Sequence, residues 1–214
     1  MTHTRGFARV IAIGVSTGGP QALSAILPSL PANFPVPILI VQHMPPLFTQ
    51  QLAARLDHEC DVEVKEAEHG EVLHAGVAYI APGDFHMTLR RNGPHAVVAL
   101  SQAPPEHSCR PAVDPMLRSV AHVYGQHVAA FILTGMGSDG KSGCAEVRHH
   151  GGYVVAQSRA SSTVWGMPGA VSEAGLAHRV LPLLDIAGEM IRCTGASEMQ
   201  VPTRYVNCMR RSTA

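Results

Sequence analysis

The chain has 214 residues, 46% of them hydrophobic and 15% charged, which suits one globular domain with a sizeable core. Lys plus Arg and Asp plus Glu balance at 16 each, so bulk charge argues against nucleic-acid and acidic-membrane partners. Residues 1–9 lack the apolar core of a signal peptide, and no apolar run approaches the roughly 18 residues of a membrane span.

The first element is the apolar run Val10-Ile11-Ala12-Ile13, which reads as a strand buried on both sides, as in a parallel sheet. Gly14-Val15-Ser16-Thr17-Gly18-Gly19 makes a turn, and Pro20 suits the first turn of a helix carrying Leu23, Ile26, Leu27 and Leu30. A second buried strand, residues 38–41, ends at Gln42-His43-Met44-Pro45-Pro46, and a helix over about 48–56 follows. Residues 62–64 and 77–80 predict two more strands. A hairpin over 87–91 and 96–100 turns at Asn92-Gly93. Polar, Pro-rich residues 101–112 read as an exposed loop before a helix over 114–124. A strand over 129–134 runs into Gly135-Met136-Gly137-Ser138-Asp139-Gly140 and a helix over about 142–150. A strand over 153–156, a turn over 166–169, a short helix, a short strand near Val180 and a helix over about 182–193 complete the pattern. Residues 1–194 are expected to form one folded domain and 195–214 a loosely ordered tail. Strands alternating with helices predict a doubly wound α/β fold, its sheet mainly parallel, with helices on both faces and an inserted antiparallel β-hairpin.

In such sheets function sits beyond the carboxyl ends of the strands. Three predicted strands end there in reactive groups: Ser16, His43 and Asp139. A serine hydroxyl needs a base within hydrogen-bond reach, and the base needs an acceptor that fixes its tautomer. The three residues supply those roles as nucleophile, base and orienting carboxylate. Gly14-x-Ser16-x-Gly18 also matches a nucleophile elbow, a phosphate cradle or a plain helix cap by Ser16 or Thr17. Taken singly, His43 reads first as a structural hydrogen-bonder and Asp139 as a turn-former or helix cap; it is their coincidence with Ser16 at three strand ends that favours the catalytic reading. The cradle lacks the acidic ribose partner expected after the second strand, where Gln42-His43 stands. The order serine, histidine, aspartate differs from that of the α/β-hydrolases, which points to another scaffold. Met136 is a candidate oxyanion donor through its backbone N–H, with core packing as its other reading, and the helix start near Thr17 offers a second donor. No HExxH or paired-Cys motif occurs, so no metal and no cofactor is expected. Most other histidines (His58, His69, His74, His122, His127, His149 and His178) read as surface residues. Five cysteines with no CxxC pair fit a reduced, cytoplasmic compartment.

Read together, IAIGVSTGGPQAL, VQHMPPLFT, VKEAEHGE, YIAPGDFHM, RPAVD, ILTGMGSDG and GMPGAV resemble the catalytic domain of the chemotaxis response-regulator methylesterases, CheB, over about residues 9–193. The resemblance implies a protein-glutamate methylesterase acting on methylated cytoplasmic regions of chemoreceptors, with glutamine deamidation as a second activity. It places the family nucleophile on Ser16, the base on His43 and the carboxylate on Asp139, with Thr17 and Met136 lining the site. A non-catalytic receptor-binding module using the same cleft is the alternative. The catalytic motif starts within the first fifteen residues, which leaves no room ahead of it in this sequence for the family's usual receiver domain: either a stand-alone esterase or a piece of a longer chain is expected, and a separate regulatory protein is a further candidate partner. The family often has a histidine before its Arg-Pro-x-Val-Asp motif; here Cys109 precedes Arg110, and His107 stands two residues earlier. Arg110 reads either as a substrate contact or as a partner of Asp114.

Overall fold

Aliphatic and β-branched runs form the centre of the fold. The computed structural model describes residues 6–196, in which nine strands and six α-helices are defined. The strands are β1 (Val10–Val15), β2 (Ile38–Gln42), β3 (Glu63–Glu66), β4 (Val77–Ile80), β5 (His86–Asn92), β6 (His95–Ser101), β7 (Val128–Ile132), β8 (Tyr153–Gln157) and β9 (Arg179–Leu181). The helices are α1 (Gly19–Ile26), α2 (Phe48–Glu59), α3 (Val113–Tyr124), α4 (Lys141–His149), α5 (Met167–Glu173) and α6 (Leu183–Thr194).

Seven strands pair in parallel in the order β3-β4-β2-β1-β7-β8-β9, and β5-β6 form a separate antiparallel pair. Alternation along β1 divides the core. Ile11, Ile13 and Val15 pack with α1, α2 and α6 on one face; Val10 and Ala12 pack with α3, α4, α5 and the hairpin on the other. Each fully buried valine or isoleucine among them contributes about 1.5–3 kcal/mol. The loop after β1 enters α1 on the first face, whereas the loop after β7 enters α4 on the second. The connections that follow the parallel neighbours β1 and β7 thus lead to opposite faces of the sheet, and that divergence opens a crevice at their carboxyl ends. Gly14 lets α3 lie close above β1: a Cβ there would come within 2.5 Å of the Val113 side chain.

The predicted elements appear with shifted ends. The strand read over 129–134 stops at Ile132, so Leu133 and Thr134 belong to the loop that carries Met136 and Asp139. The turn read over 166–169 is already the start of α5, with Pro168 in its first turn. Residues 101–112 are not exposed throughout, because Pro111 and Ala112 are buried where the loop enters α3. His127 and His178, read as surface residues, are half-buried: His127 Nδ1 bonds the Phe7 carbonyl and His178 Nδ1 the Val154 N–H. Residues 197–214 of the expected tail lie outside the described residues. Among those described, no helix is long and apolar enough to cross a membrane.

Candidate active site

The parallel register sets the site. Val15 pairs with Gln42, so Ser16 and His43 leave adjacent strands side by side. The His43 N–H donates to the Val15 carbonyl at 3.1 Å, and the Ser16 N–H donates to the Thr134 carbonyl at 2.9 Å. The nucleophile candidate is thereby clamped between the β2 and β7 loops. Gly18, in the left-handed region, is the N-cap of α1, and no side chain caps that helix. The plain capping reading of Ser16 and Thr17 therefore fails.

Asp139 comes to the same place from the β7 loop. Its Oδ2 accepts from His43 Nε2 at 2.7 Å and from the Val113 N–H at 2.7 Å; its Oδ1 accepts from the N–H groups of Asp114 and Gly140. Val113 and Asp114 are the first residues of α3, so the carboxylate sits at that helix's positive end. The Asp139 side chain is 2% exposed and that of His43 11%. Burial alone would raise the Asp139 pKa, but the His43 hydrogen bond and the Val113 and Asp114 N–H groups hold it below the usual carboxylate value. Asp139 is then ionised and accepts only, which puts the ring proton on His43 Nε2 and leaves Nδ1 with its lone pair.

A carboxylate depressed in the folded state adds stability above its unfolded pKa of about 3.9 and loses it as pH falls through the folded value. The urea midpoint of the wild type is therefore expected to fall more steeply between about pH 5 and about pH 3 than that of Asp139→Asn. Parallel pH profiles for the two proteins would contradict this.

A cleft of about 500 Å³ is lined by Ser16, Thr17, His43, Cys109, Met136 and Asp139, among others. Met136 is 71% exposed at its mouth, so its core-packing reading is set aside. Among the described residues the N–H groups of Thr17 and Met136 donate to no backbone carbonyl. Ser16 Oγ makes no hydrogen bond with His43 here; the atom facing His43 Nδ1 is Cys109 Sγ, at 3.6 Å. Burial, then the Asp139 charge, pushes the Cys109 thiol up, so it remains a protonated, weak donor.

Cys109 reaches His43 through a strained loop in which His107 and Ser108 both have positive φ. The same loop puts His107 Nε2 2.9 Å from Asp114 Oδ2. Asp114 is thus paired with His107 and with the Gly143 N–H, not with Arg110. Arg110 turns to Asp84 instead, which holds that carboxyl below its usual value, and it donates to the carbonyls of Gln102 and Ala103. The reason is reciprocal anchoring: the Asp84 N–H donates to the Arg110 carbonyl, which brings the two side chains together. Arg110 does not line the cleft. His107, Asp114 and Asp139 lie close enough together to hold a metal ion, but each of the four carboxylate oxygens is already an acceptor for a protein donor.

Sequence reasoning missed Gln42, whose amide bonds the carbonyls of Ser16 and His43, and the buried pair Thr134 and Gln157, which ties the β7 and β8 loops. All three are polar residues at the predicted ends of buried strands, which is the signal that could have found them.

Comparison with known proteins gives a consistent answer. The family model described as CheB methylesterase matches residues 11–190. A protein-glutamate methylesterase/protein-glutamine glutaminase of Trichodesmium erythraeum is 53% identical over 186 residues, covering 87% of this chain and 53% of that one. A relative of the same name from Nocardioides sp. is 53% identical over 191 residues, 89% of this chain and 52% of its own. The crystal structure of the Thermotoga maritima CheB methylesterase catalytic domain superposes with a TM-score of 0.85 at 46% identity, covering 86% of this chain and 97% of that chain. The chain spans about half the length of the curated relatives it matches and nearly all of that catalytic domain. With its parallel sheet, inserted hairpin and strand-end residues, the chain belongs to the CheB methylesterase family.

Proposed function

We infer that this chain hydrolyses glutamyl methyl esters on a protein substrate through an acyl-enzyme on Ser16. The observation that carries the reading is the Asp139–His43 pair in one cleft with Ser16, where β1 and β7 diverge. Asp139 holds the Nε2 proton, so His43 Nδ1 is the base. It takes the Ser16 proton as the oxygen attacks the ester carbonyl. The oxyanion is held by the N–H groups of Thr17 and Met136, each worth about 3 kcal/mol in comparable acyl-transfer sites. His43 then protonates the leaving methoxide, methanol departs, and water repeats the sequence to free the glutamate and Ser16. For attack to begin, His43 Nδ1 must exchange its Cys109 contact for Ser16, and such bonds commonly tighten only in the substrate complex.

The relatives carry two activities in their names, and the same chemistry applied to a glutamine amide would release ammonia. The substrate is the methylated cytoplasmic region of chemoreceptors, the compartment is the cytoplasm, and residues 1–194 form the catalytic domain. A methylated receptor segment that also carries glutamines tests both activities by mass spectrometry. The ester reading expects each methylated glutamate to lose one CH2. An unchanged ester with converted glutamine would favour the amidase alone.

One observation favours a second reading: the Cys109 contact at His43 Nδ1 and the missing Ser16–His43 bond also suit a cleft that binds receptor without turnover. Receptor binding with no change in peptide mass would support that reading.

A further inference from the structure

Gln42 is the last residue of β2 and is 2% exposed. Its Nε2 donates to two carbonyls, that of Ser16 at 3.1 Å and that of His43 at 3.0 Å. Two carbonyl acceptors fix the orientation of the amide, because a flip would set its oxygen against both. Oε1 then faces Gly19, where a Cβ would lie only 1.9 Å from it. Among the described residues it is the one buried side-chain nitrogen or oxygen without a hydrogen-bond partner. An unpartnered buried acceptor destabilises the fold, and a methionine of similar length would avoid that cost. What the amide adds over a hydrocarbon is its two N–H donors, one to each candidate catalytic residue.

The Ser16 carbonyl accepts a further hydrogen bond from the Gly19 N–H, at 2.8 Å. That carbonyl and the Thr17 N–H belong to a single peptide unit. Donors on the oxygen polarise the unit and strengthen its N–H as a donor in turn. We propose that Gln42 is a positioning residue for acyl transfer: its amide fixes the spacing of Ser16 and His43 and polarises the Ser16–Thr17 peptide toward the oxyanion. The inference rests on Ser16 as nucleophile and His43 as base.

A fluorophosphonate probe tests this without the natural ester. His43 takes the Ser16 proton, the Ser16 oxygen bonds to phosphorus, fluoride leaves, and the phosphoryl oxygen occupies the oxyanion position. Labelling of the whole chain is followed by intact mass, and the folded fraction by circular dichroism. Gln42→Met is expected to label about tenfold more slowly or worse, with the pH midpoint of labelling unchanged. Gln42→Glu, equal in size, offers at most one donor hydrogen to the two carbonyls and is expected to be slowed as well. A merely structural role would lower the melting temperature while folded protein still labels at the wild-type rate. Wild-type rates in either folded variant, or a slower rate with a moved midpoint, would overturn the role of Gln42 and leave Ser16 standing. A wild-type chain that resists the probe at Ser16 would overturn both.

Discussion

Asp139→Asn is expected to lower kcat by about 10⁴, the loss seen when a triad carboxylate becomes an amide. Asp139 accepts four donors: His43 Nε2 and the N–H groups of Val113, Asp114 and Gly140. An amide has one acceptor oxygen, so its NH2 group must meet donors on one side. If it meets His43, the ring holds its proton on Nδ1, and the base has no lone pair for Ser16. If it meets the start of α3, the helix loses the charge at its positive end. Steady-state kinetics on a glutamyl methyl ester peptide decide the point. A kcat within tenfold of wild type would mean that Asp139 serves only to hold the loop to α3.

Gly135→Ala carries the second large expectation. A Cβ at that position would lie 2.5 Å from Met167 Sδ and 2.7 Å from Ser16 Cβ. The Met167 side chain is flexible and can withdraw. Ser16 cannot, since its N–H is held by the Thr134 carbonyl and its carbonyl by Gly19 and Gln42. The methyl therefore displaces the candidate nucleophile itself, and a displacement of about 1 Å costs on the order of 10² in rate. Overpacking should also remove about 1–3 kcal/mol of stability. Kinetics beside a thermal melt separate the two effects. Wild-type kcat with a lowered melting temperature would show that Met167 alone absorbs the methyl.

The parts of this molecule that the sequence announces are those with local causes. Buried strands β1, β2 and β7 read from unbroken aliphatic runs, and the hairpin from Asn92-Gly93. Knowing that function gathers at carboxyl ends was enough to bring Ser16, His43 and Asp139 together. What stayed hidden depends on distant partners. Asp139 was weighed as a cap for its own helix, yet it serves the start of α3, 25 and 26 residues earlier. Arg110 was weighed against Asp114, four residues on, but finds Asp84 26 residues back because their backbones meet first. Cys109 meets His43 across 66 residues, through a loop whose positive φ values at His107 and Ser108 no composition rule foretells. Spacing along the chain identifies helical neighbours well; loop-to-loop contacts above a sheet obey the topology instead.

The central claim is that Ser16 forms the acyl-enzyme. Methanol release from a glutamyl methyl ester peptide, wild type beside Ser16→Ala, tests it most directly. Ser16 is half-buried and, among the described residues, its side chain makes no hydrogen bond, so the variant should keep the wild-type melting temperature. The account predicts steady release by the wild type and none above buffer by the variant. Release that survives Ser16→Ala, or none from either protein, would contradict it.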